Sequence, residues 1–388
     1  MFYAFSSMPL EKIDPRQRAW VEVFPKAIKA NSLAIKALLK DNCLLMAVVK
    51  ADGYGHGSET VADAALAGGA DNLGVATLQE ALDLRKAGIN CQILILGNLI
   101  SSEELASCLY WDLTPTICSA REAKLCQQLA QIEGKIFSVH LKVDTGMTRL
   151  GCDVEDAFDL IDLIDKLPNL LLKGIYSHLA LADMELNDKA ETFTSKQKEK
   201  FQTLLSKLKA RKTTLCTHLA NSAGTFRDQK LHFDMVRVGL ALYGYSPFQK
   251  LKKICPLEPA LAVRARVTFV RDVPSRVGVS YGHDFVTERN SRLAVVGIGY
   301  ADGINRALSG KISVLINGDF YPQVGSITMD QLVIDITGNF DIEVGDVVTL
   351  LGVDGNCSIT PYQWSEVSGS IPWEILCGFK YRLPRVVI

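Results

Sequence analysis

No run of about 18 consecutive apolar residues occurs in this 388-residue chain, so no helix of it is expected to span a bilayer. C-x-x-C pairs are absent, and no His/Cys cluster has zinc-ligand spacing, which argues against structural zinc and dithiol redox chemistry. Charge of either sign is not in excess: 42 Lys+Arg face 43 Asp+Glu, for a net charge of -1. Nothing in that balance attracts nucleic acid or an anionic membrane surface. The start, Met1 to Pro9, has no basic n-region and no sustained apolar h-region; residues 1–17 read as a loose tail rather than a leader. Internal repeats and low-complexity segments are lacking too. The ten cysteines are scattered, several within apolar stretches such as Cys216 and Cys377. They read as reduced, core-filling thiols of a cytoplasmic protein.

What is present is ample core, with 48% hydrophobic and 22% charged residues, and one arresting stretch. In Ala47-Val48-Val49-Lys50-Ala51-Asp52-Gly53-Tyr54-Gly55-His56-Gly57 an apolar run ends in a lysine and a glycine-rich loop follows. The run Leu44–Lys50 reads as a buried strand. A lysine at its end sits at the rim of a core, where desolvation favours the free amine, a nucleophile or base. Beyond it, strand and helix patterns alternate. Candidate strands are Leu44–Lys50, Asn72–Ala76, Ile93–Gly97, Leu113–Ile117, Ile136–Val143, Leu172–His178, Thr214–His218 and Met235–Gly239. Three intervening helices begin with a capping-box spelling, at Thr77/Glu80, Ser101/Glu104 and Ser119/Glu122. Lys196 to Arg211 places Phe201, Leu204, Leu205 and Leu208 on one helical face.

The pattern predicts an α/β chain with an N-terminal (β/α)8 TIM-like barrel over 25–255. A doubly wound open sheet is the alternative. After Cys255 the texture changes to short Val/Ile-rich runs separated by turns such as Asn317-Gly318-Asp319, which predicts a C-terminal mainly-β domain over 256–388. The strand-like Arg18–Val23 precedes the barrel and has no place in its alternation.

Polar residues collect where the barrel strands end. They are Lys50, Lys142 with Asp144 to Arg149, His178, His218 with Asn221-Ser222, and Arg237 with Gly239. Barrels place their active sites at that face. Asn221-Ser222 can open a helix toward an anion, Gly239 allows close backbone approach, and Tyr54 adds a hydroxyl. A Schiff-base lysine beside a phosphate cradle suggests pyridoxal phosphate, although barrel aldolases combine the same features.

In these motifs the chain closely resembles the alanine racemases, the fold-type III pyridoxal-phosphate enzymes. The resemblance covers about Arg18 to Arg385 and includes Lys142-Val143-Asp144-Thr145-Gly146-Met147, Val279-Ser280-Tyr281-Gly282, Gly299-Tyr300-Ala301-Asp302-Gly303 and Thr328-Met329-Asp330-Gln331. It implies a cytoplasmic homodimer that interconverts L- and D-alanine for peptidoglycan, with pyridoxal 5'-phosphate bound and no metal. Lys50 matches the lysine that holds the cofactor and acts as one base, and Tyr281 the opposite base, from the other subunit. Tyr54, Ser222, Gly239 and Leu240 match phosphate ligands. Arg237 matches the arginine facing the pyridine nitrogen. Arg149 matches the arginine near the phenolic oxygen and the substrate carboxylate, and His178 the histidine that positions the tyrosine. Met329 matches a carboxylate-pocket residue, Lys142 an often carbamylated lysine, and Tyr300, Arg306, Asp330 and Ile371 the entrance channel. The strand at 18–24 is expected to join the C-terminal domain.

Three positions depart from the family pattern. Trp373 replaces a phosphate-binding tyrosine, so its place in the cofactor site lacks a hydroxyl. Thr148 replaces a glycine, and Ser326 a gate arginine. These leave a racemase of broader or shifted preference, such as serine, as the nearest alternative. A pyridoxal-phosphate decarboxylase of basic amino acids and a non-enzymatic cofactor-binding protein stand further off.

Overall fold

The computed structural model describes residues 14–184, 188–208, 215–247, 255–379 and 381–388. It divides into two compact units, Pro25–Ala260 and Leu261–Ile388, the latter joined by the segment that ends at Phe24.

In the first unit, eight parallel strands follow one another around a sheet. They are β2 (Leu44–Val48), β3 (Asn72–Val75), β4 (Ile93–Asn98), β5 (Thr114–Ile117), β6 (Phe137–Asp144), β8 (Leu170–Tyr176), β9 (Cys216–His218) and β10 (Met235–Val238). Their order is β10-β2-β3-β4-β5-β6-β8-β9, with a short β7 (Cys152–Asp153) beside β6. Bonds from Asp234 N to Thr217 O (2.9 Å) and Arg237 N to Ala220 O (3.0 Å) link the two ends. The barrel is thus nearly closed, not an open doubly wound sheet.

Helices α1 (Pro25–Ala37), α3 (Ser58–Ala67), α4 (Leu78–Lys86), α5 (Ser102–Tyr110), α6 (Ala120–Ile132), α7 (Ala157–Asp165), α8 (Asp188–Leu208) and α9 (Ser222–Arg227) alternate with the strands; the segment between β2 and α3, Lys50–Gly55, is α2. All three capping boxes form as spelled, each Thr/Ser hydroxyl accepting the third helical N–H. The start of the seventh candidate strand, Thr214, and the end of the predicted helix, Lys209–Arg211, lie outside the described residues. Two expected strand ends need correction. Lys50 lies beyond β2, which stops at Val48, and His178 lies beyond β8, which stops at Tyr176. Both sit in the loops that leave the barrel, where the backbone can turn to present them.

The second unit is a nine-stranded sheet. Its long strand β11 (Leu261–Val273) pairs antiparallel with β1 (Ala19–Val23), β14 (Ser291–Val296) and β18 (Val347–Asp354). β1 also runs parallel to the C-terminal strand β20 (Arg385–Val387). Asn317 and Gly318, both with positive φ, turn β15 (Ser313–Ile316) into β16 (Asp319–Val324), as a two-residue hairpin requires.

The knot of this unit is Asp302, a carboxylate with no solvent exposure. It accepts from Arg18 Nη2 (2.7 Å), Arg18 Nη1 (2.9 Å) and Gly299 N (3.0 Å), and Arg382 Nε stands 3.6 Å away. Burial raises its pKa, but the hydrogen bonds from Arg18 and Gly299 and the charges of Arg18 and Arg382 outweigh that, so the net shift is downward. A depressed carboxylate adds stability above its unfolded pKa and loses it as pH falls through the folded one. Asp302→Asn removes the charge that Arg18 and Arg382 share, but Arg382 keeps Asp330 and Arg18 keeps Gly297 O, and both arginines are partly exposed; the cost is expected to be about 1–3 kcal/mol in denaturant unfolding at neutral pH. The gap to the parent should close as the pH is taken below the ordinary carboxylate range.

Candidate active site

β2 hands the chain to Val49, whose N–H is fixed on Gly74 O at 2.9 Å. Lys50 follows, half-buried. The next four residues, Ala51, Asp52, Gly53 and Tyr54, have φ of 53, 52, 59 and 52° with ψ between 40 and 51°. This is a full left-handed turn, three of whose residues carry a Cβ, and each such residue costs roughly 1–2 kcal/mol. The surroundings hold it. Gly53 N bonds Val49 O (2.9 Å), Ala51 N bonds Glu80 Oε1 (2.7 Å) and Ser58 N bonds Asp52 Oδ1 (2.9 Å). At Gly53 a Cβ would meet Val61 Cγ2 at 2.8 Å, so glycine is required on two counts.

The turn delivers Tyr54 into the interior, its ring tilted against Tyr243 with centroids 4.7 Å apart. Tyr243 in turn donates to Val48 O (2.9 Å), back at the strand that began the turn. Gly239 lies under the Tyr54 hydroxyl so closely that a Cβ there would fall 2.5 Å from Oη. Gly239 N donates to Ser222 Oγ at 2.9 Å. Two hydroxyls thus converge on a bare stretch of backbone that continues into buried Leu240. The Asn221 side chain is engaged as the cap of α9, accepting from Gly224 N at 2.9 Å.

Inside the barrel, β6 alternates. His140 and Lys142 share the inner face while Val139, Leu141 and Val143 face outward. Arg237 is 3% exposed and donates to Ser177 O (2.7 Å), Leu219 O (3.2 Å) and His218 Nδ1 (3.0 Å). A guanidinium only donates, so His218 Nδ1 must accept, and its Nε2–H must donate to His140 Nδ1, 2.9 Å away. One arginine therefore sets two tautomers and keeps both rings neutral. Burial pushes both histidines down, His140 to about 3. It lowers Arg237 only to about 10, still protonated at neutral pH. His218 stacks on Tyr176 at 4.7 Å, and the Tyr176 hydroxyl meets Thr116 Oγ1 at 2.7 Å. Gly174 makes room, because a Cβ would lie 2.5 Å from His140 Cε1.

Lys142 is brought down to about 8 by burial and then by the charges of Arg237 and Arg149. Its Nζ stands 5.4 Å from the Tyr176 ring centroid. His178, with Nδ1 3.4 Å from Arg237 Nη2, is pushed well down by burial and by Arg237, Arg149, Lys142 and Lys50. Among the described residues no ion pair neutralises Lys50, Lys142, Arg149 or Arg237. The first unit therefore brings Lys50, Lys142, Arg149, His178 and Arg237 into one concentration of positive charge, and brings Tyr54, Ser222 and Gly239 together in the cradle.

The remaining predicted residues belong to the second unit. Tyr281 is 73% exposed, on a turn that follows Ser280. Met329 and Tyr300 are exposed and their segments are stitched together by Tyr300 N to Thr328 O and Ala301 N to Met329 O, both 3.0 Å. Asp330 pairs with Arg382 (2.7 Å), Arg306 opens a short exposed turn, and exposed Ile371 caps α11 (Pro372–Cys377), which carries half-buried Trp373. Sequence reasoning missed His140, Tyr176, Thr116 and Glu80 as parts of the site. The polar alternation of β6 was an available signal for His140; nothing local marks Thr116 or Tyr176.

A family model described as "Alanine racemase, N-terminal domain" matches residues 23–247, and one described as "Alanine racemase, C-terminal domain" matches 260–387. An alanine racemase of Prochlorococcus marinus is 74% identical, covering 99% of this chain and 100% of its own length. One from Synechocystis is 48% identical, covering 96% and 100%. Among solved structures, alanine racemase from a D-cycloserine-producing Streptomyces lavendulae superposes with a TM-score of 0.89 at 34% identity, covering 96% of this chain and 97% of that one. One from Bartonella henselae, described with covalently bound pyridoxal phosphate, gives 0.84 at 32%, covering 96% and 99%.

Two of the departures now have a local account. Ser326 is buried and donates to Tyr281 O (3.0 Å), while Ser280 Oγ donates to Ser326 O (2.7 Å). The serine thus clasps the backbone of Tyr281. Thr148 has φ of 54°, a left-handed conformation that a β-branched residue rarely adopts and that suits the glycine of the pattern. Thr148→Gly is expected to raise stability by about 1 kcal/mol in denaturant unfolding, the relief of strain exceeding the added unfolded-state entropy.

Proposed function

The chain belongs to the alanine racemase family, and we propose that it interconverts L-alanine and D-alanine with pyridoxal 5'-phosphate, as a homodimer supplying D-alanine for peptidoglycan. The observation that carries the cofactor assignment is the bare backbone of Gly239 beneath the Tyr54 hydroxyl and beside Ser222. That cradle would be filled by any Cβ, and its donors suit a phosphate. The unneutralised Lys50, Lys142, Arg149 and Arg237 suit an anionic cofactor and an anionic substrate in the same way.

Bound there, pyridoxal phosphate supplies a ring system that draws off the charge left when the α-proton is removed. Lys50 Nζ would hold the cofactor covalently at rest and, once displaced by the substrate's amine, would be the free amine that takes or returns the proton on one face of Cα. The Tyr281 hydroxyl, from a second copy of the chain, serves the other face, since racemisation needs a donor and an acceptor on opposite sides. Tyr54, Ser222, Gly239 and Leu240 grip the phosphate. Arg237 keeps its proton toward the ring nitrogen, because its own N–H groups are fixed by Ser177, Leu219 and His218. Arg149, with Met329 from the second copy, would receive the substrate carboxylate, and His178 would orient that copy's Tyr281. Lys142, brought down to about 8, has enough neutral amine to add carbon dioxide and release a proton. The carbamate would place an anion beside Arg149. Tyr300, Arg306, Asp330 and Ile371 are assigned to the entrance, and Trp373, which has an indole N–H but no hydroxyl, stands in place of the family's phosphate-binding tyrosine.

Borohydride reduction followed by peptide mapping should mark Lys50 in a sample that racemises alanine; a mark elsewhere, or none, refutes the assignment. Lys50→Ala and Tyr281→Ala should each lose at least about 100-fold in kcat. Exchanged together, the two inactive variants should recover up to about a quarter of parent activity, since half the dimers are mixed and each has one intact site. Gly239→Ala should weaken pyridoxal phosphate binding by about tenfold or more in equilibrium dialysis, because the Tyr54 hydroxyl must move. Ser326, standing where a gate arginine is usual, supports a second reading of wider substrate range. Initial rates on serine and other small amino acids test it.

A further inference from the structure

Three helices of the barrel open with the same device, which provides a comparison within one molecule. In each capping box a glutamate uses Oε2 to take the N-cap N–H and the one before it. Glu104 holds Ser101 N (3.1 Å) and Ile100 N (3.0 Å), and Glu122 holds Ser119 N (3.0 Å) and Cys118 N (2.6 Å). Glu80 does the same with Thr77 N (3.2 Å) and Ala76 N (2.7 Å). Among the described residues, the Oε1 atoms of Glu104 and Glu122 accept no hydrogen bond. Glu80 Oε1 accepts one at 2.7 Å from Ala51 N, 29 residues away.

Ala51 is the first residue of the left-handed turn and the immediate neighbour of Lys50. The turn is strained at three residues with side chains, and of its N–H groups that of Gly53 is held on Val49 O at 2.9 Å. A carboxylate that grips the first of them opposes relaxation of Ala51 to a right-handed conformation, which would rotate the peptide that follows Lys50 and swing its Cα–Cβ bond. We propose that Glu80 is a positioning residue for Lys50: one oxygen caps α4 and the other pins the turn that aims the lysine amine. This rests on the assignment of Lys50 as the cofactor-holding residue.

The test uses holoenzyme and the variants Glu80→Gln, Glu104→Gln and Glu122→Gln. Glutamine still supports a capping box but has one acceptor oxygen, so it cannot serve both sets of N–H groups. The Glu80→Gln holoenzyme should lose its visible absorbance in hydroxylamine about tenfold faster than the parent, the scale of one charge-assisted hydrogen bond. Its kcat should fall more than its KM changes, while Glu104→Gln and Glu122→Gln match the parent in both readouts. Melting temperatures should be alike for all three. Hydroxylamine rates and kcat for Glu80→Gln equal to those of the other two would overturn the proposal. A second measurement needs no variant. In the parent, the amide of solvent-facing Ala51 should exchange with deuterium far more slowly than an unbonded amide, and free-amide exchange would overturn the proposal too. If borohydride fails to mark Lys50 in the parent, the underlying assignment fails instead, whatever the exchange rate at Ala51.

Discussion

A guanidinium shut inside a barrel must find an acceptor for its N–H groups or make the fold untenable. Arg237 finds them in two segments far apart in sequence, at Ser177 O just past β8 and at His218 Nδ1 and Leu219 O where β9 ends. Its backbone N–H closes the gap to Ala220. The side chain then dictates the protonation of His218 and, through it, of His140, leaving two neutral rings under the floor of the site. Tyr176 and Thr116 complete the floor by stacking and hydrogen bonding. The state of the inner histidines traces to this one buried cation, which also helps close the barrel and joins Lys50, Lys142 and Arg149 in giving the mouth its positive character.

Much of this was legible from residue order. Apolar runs at barrel spacing placed the strands, and the Ser/Thr-x-x-Glu spellings placed three helix starts correctly, because capping is a local contest that neighbouring residues decide. Lys50 was harder to place. Of the four residues after it only Gly53 and, weakly, Asp52 mark left-handed backbone, so the apolar run reads as strand through Lys50. The turn exists because Glu80, Asp52 and Gly239 hold it, and those contacts are invisible to a window of ten residues. The same limit explains why Tyr176 was overlooked: its role depends on His218, 42 positions on. In the second unit β16, β19 (Cys357–Ile359) and β20 do not stand out as Val/Ile-rich runs. β19 and β20 are 3 residues each, and β16 contains Pro322 and exposed Phe320, a poor match to simple alternation.

The second unit follows a different logic. Its sheet is tied by ion pairs and loop-to-loop bonds rather than by a polar interior, and it presents side chains outward. Gly299 lets the 299–303 loop lie directly on the 328–330 loop, since a Cβ would meet Thr328 O at 2.3 Å. Asp302 anchors one of these loops, and Arg382 reaches from Asp302 to Asp330 on the other. Two motifs separated in sequence are thereby one surface, with Tyr300, Met329 and Asp330 upon it.

The uncompensated cations of the barrel mouth have a consequence for the protein's lifetime as a folded molecule. Lys50, Lys142, Arg149 and Arg237 repel one another across a partly dry space, and the described residues offer no carboxylate in return. Any anion that binds the folded chain and not the unfolded one shifts that balance by mass action, by about 2.7 kcal/mol at a hundredfold excess over its dissociation constant. The tolerance of this barrel to heat, dilution and proteolysis is therefore not a property of the polypeptide alone. It varies with the free concentration of what fills the mouth, so a cell short of that ligand holds a smaller folded reserve of the protein as well as a less active one.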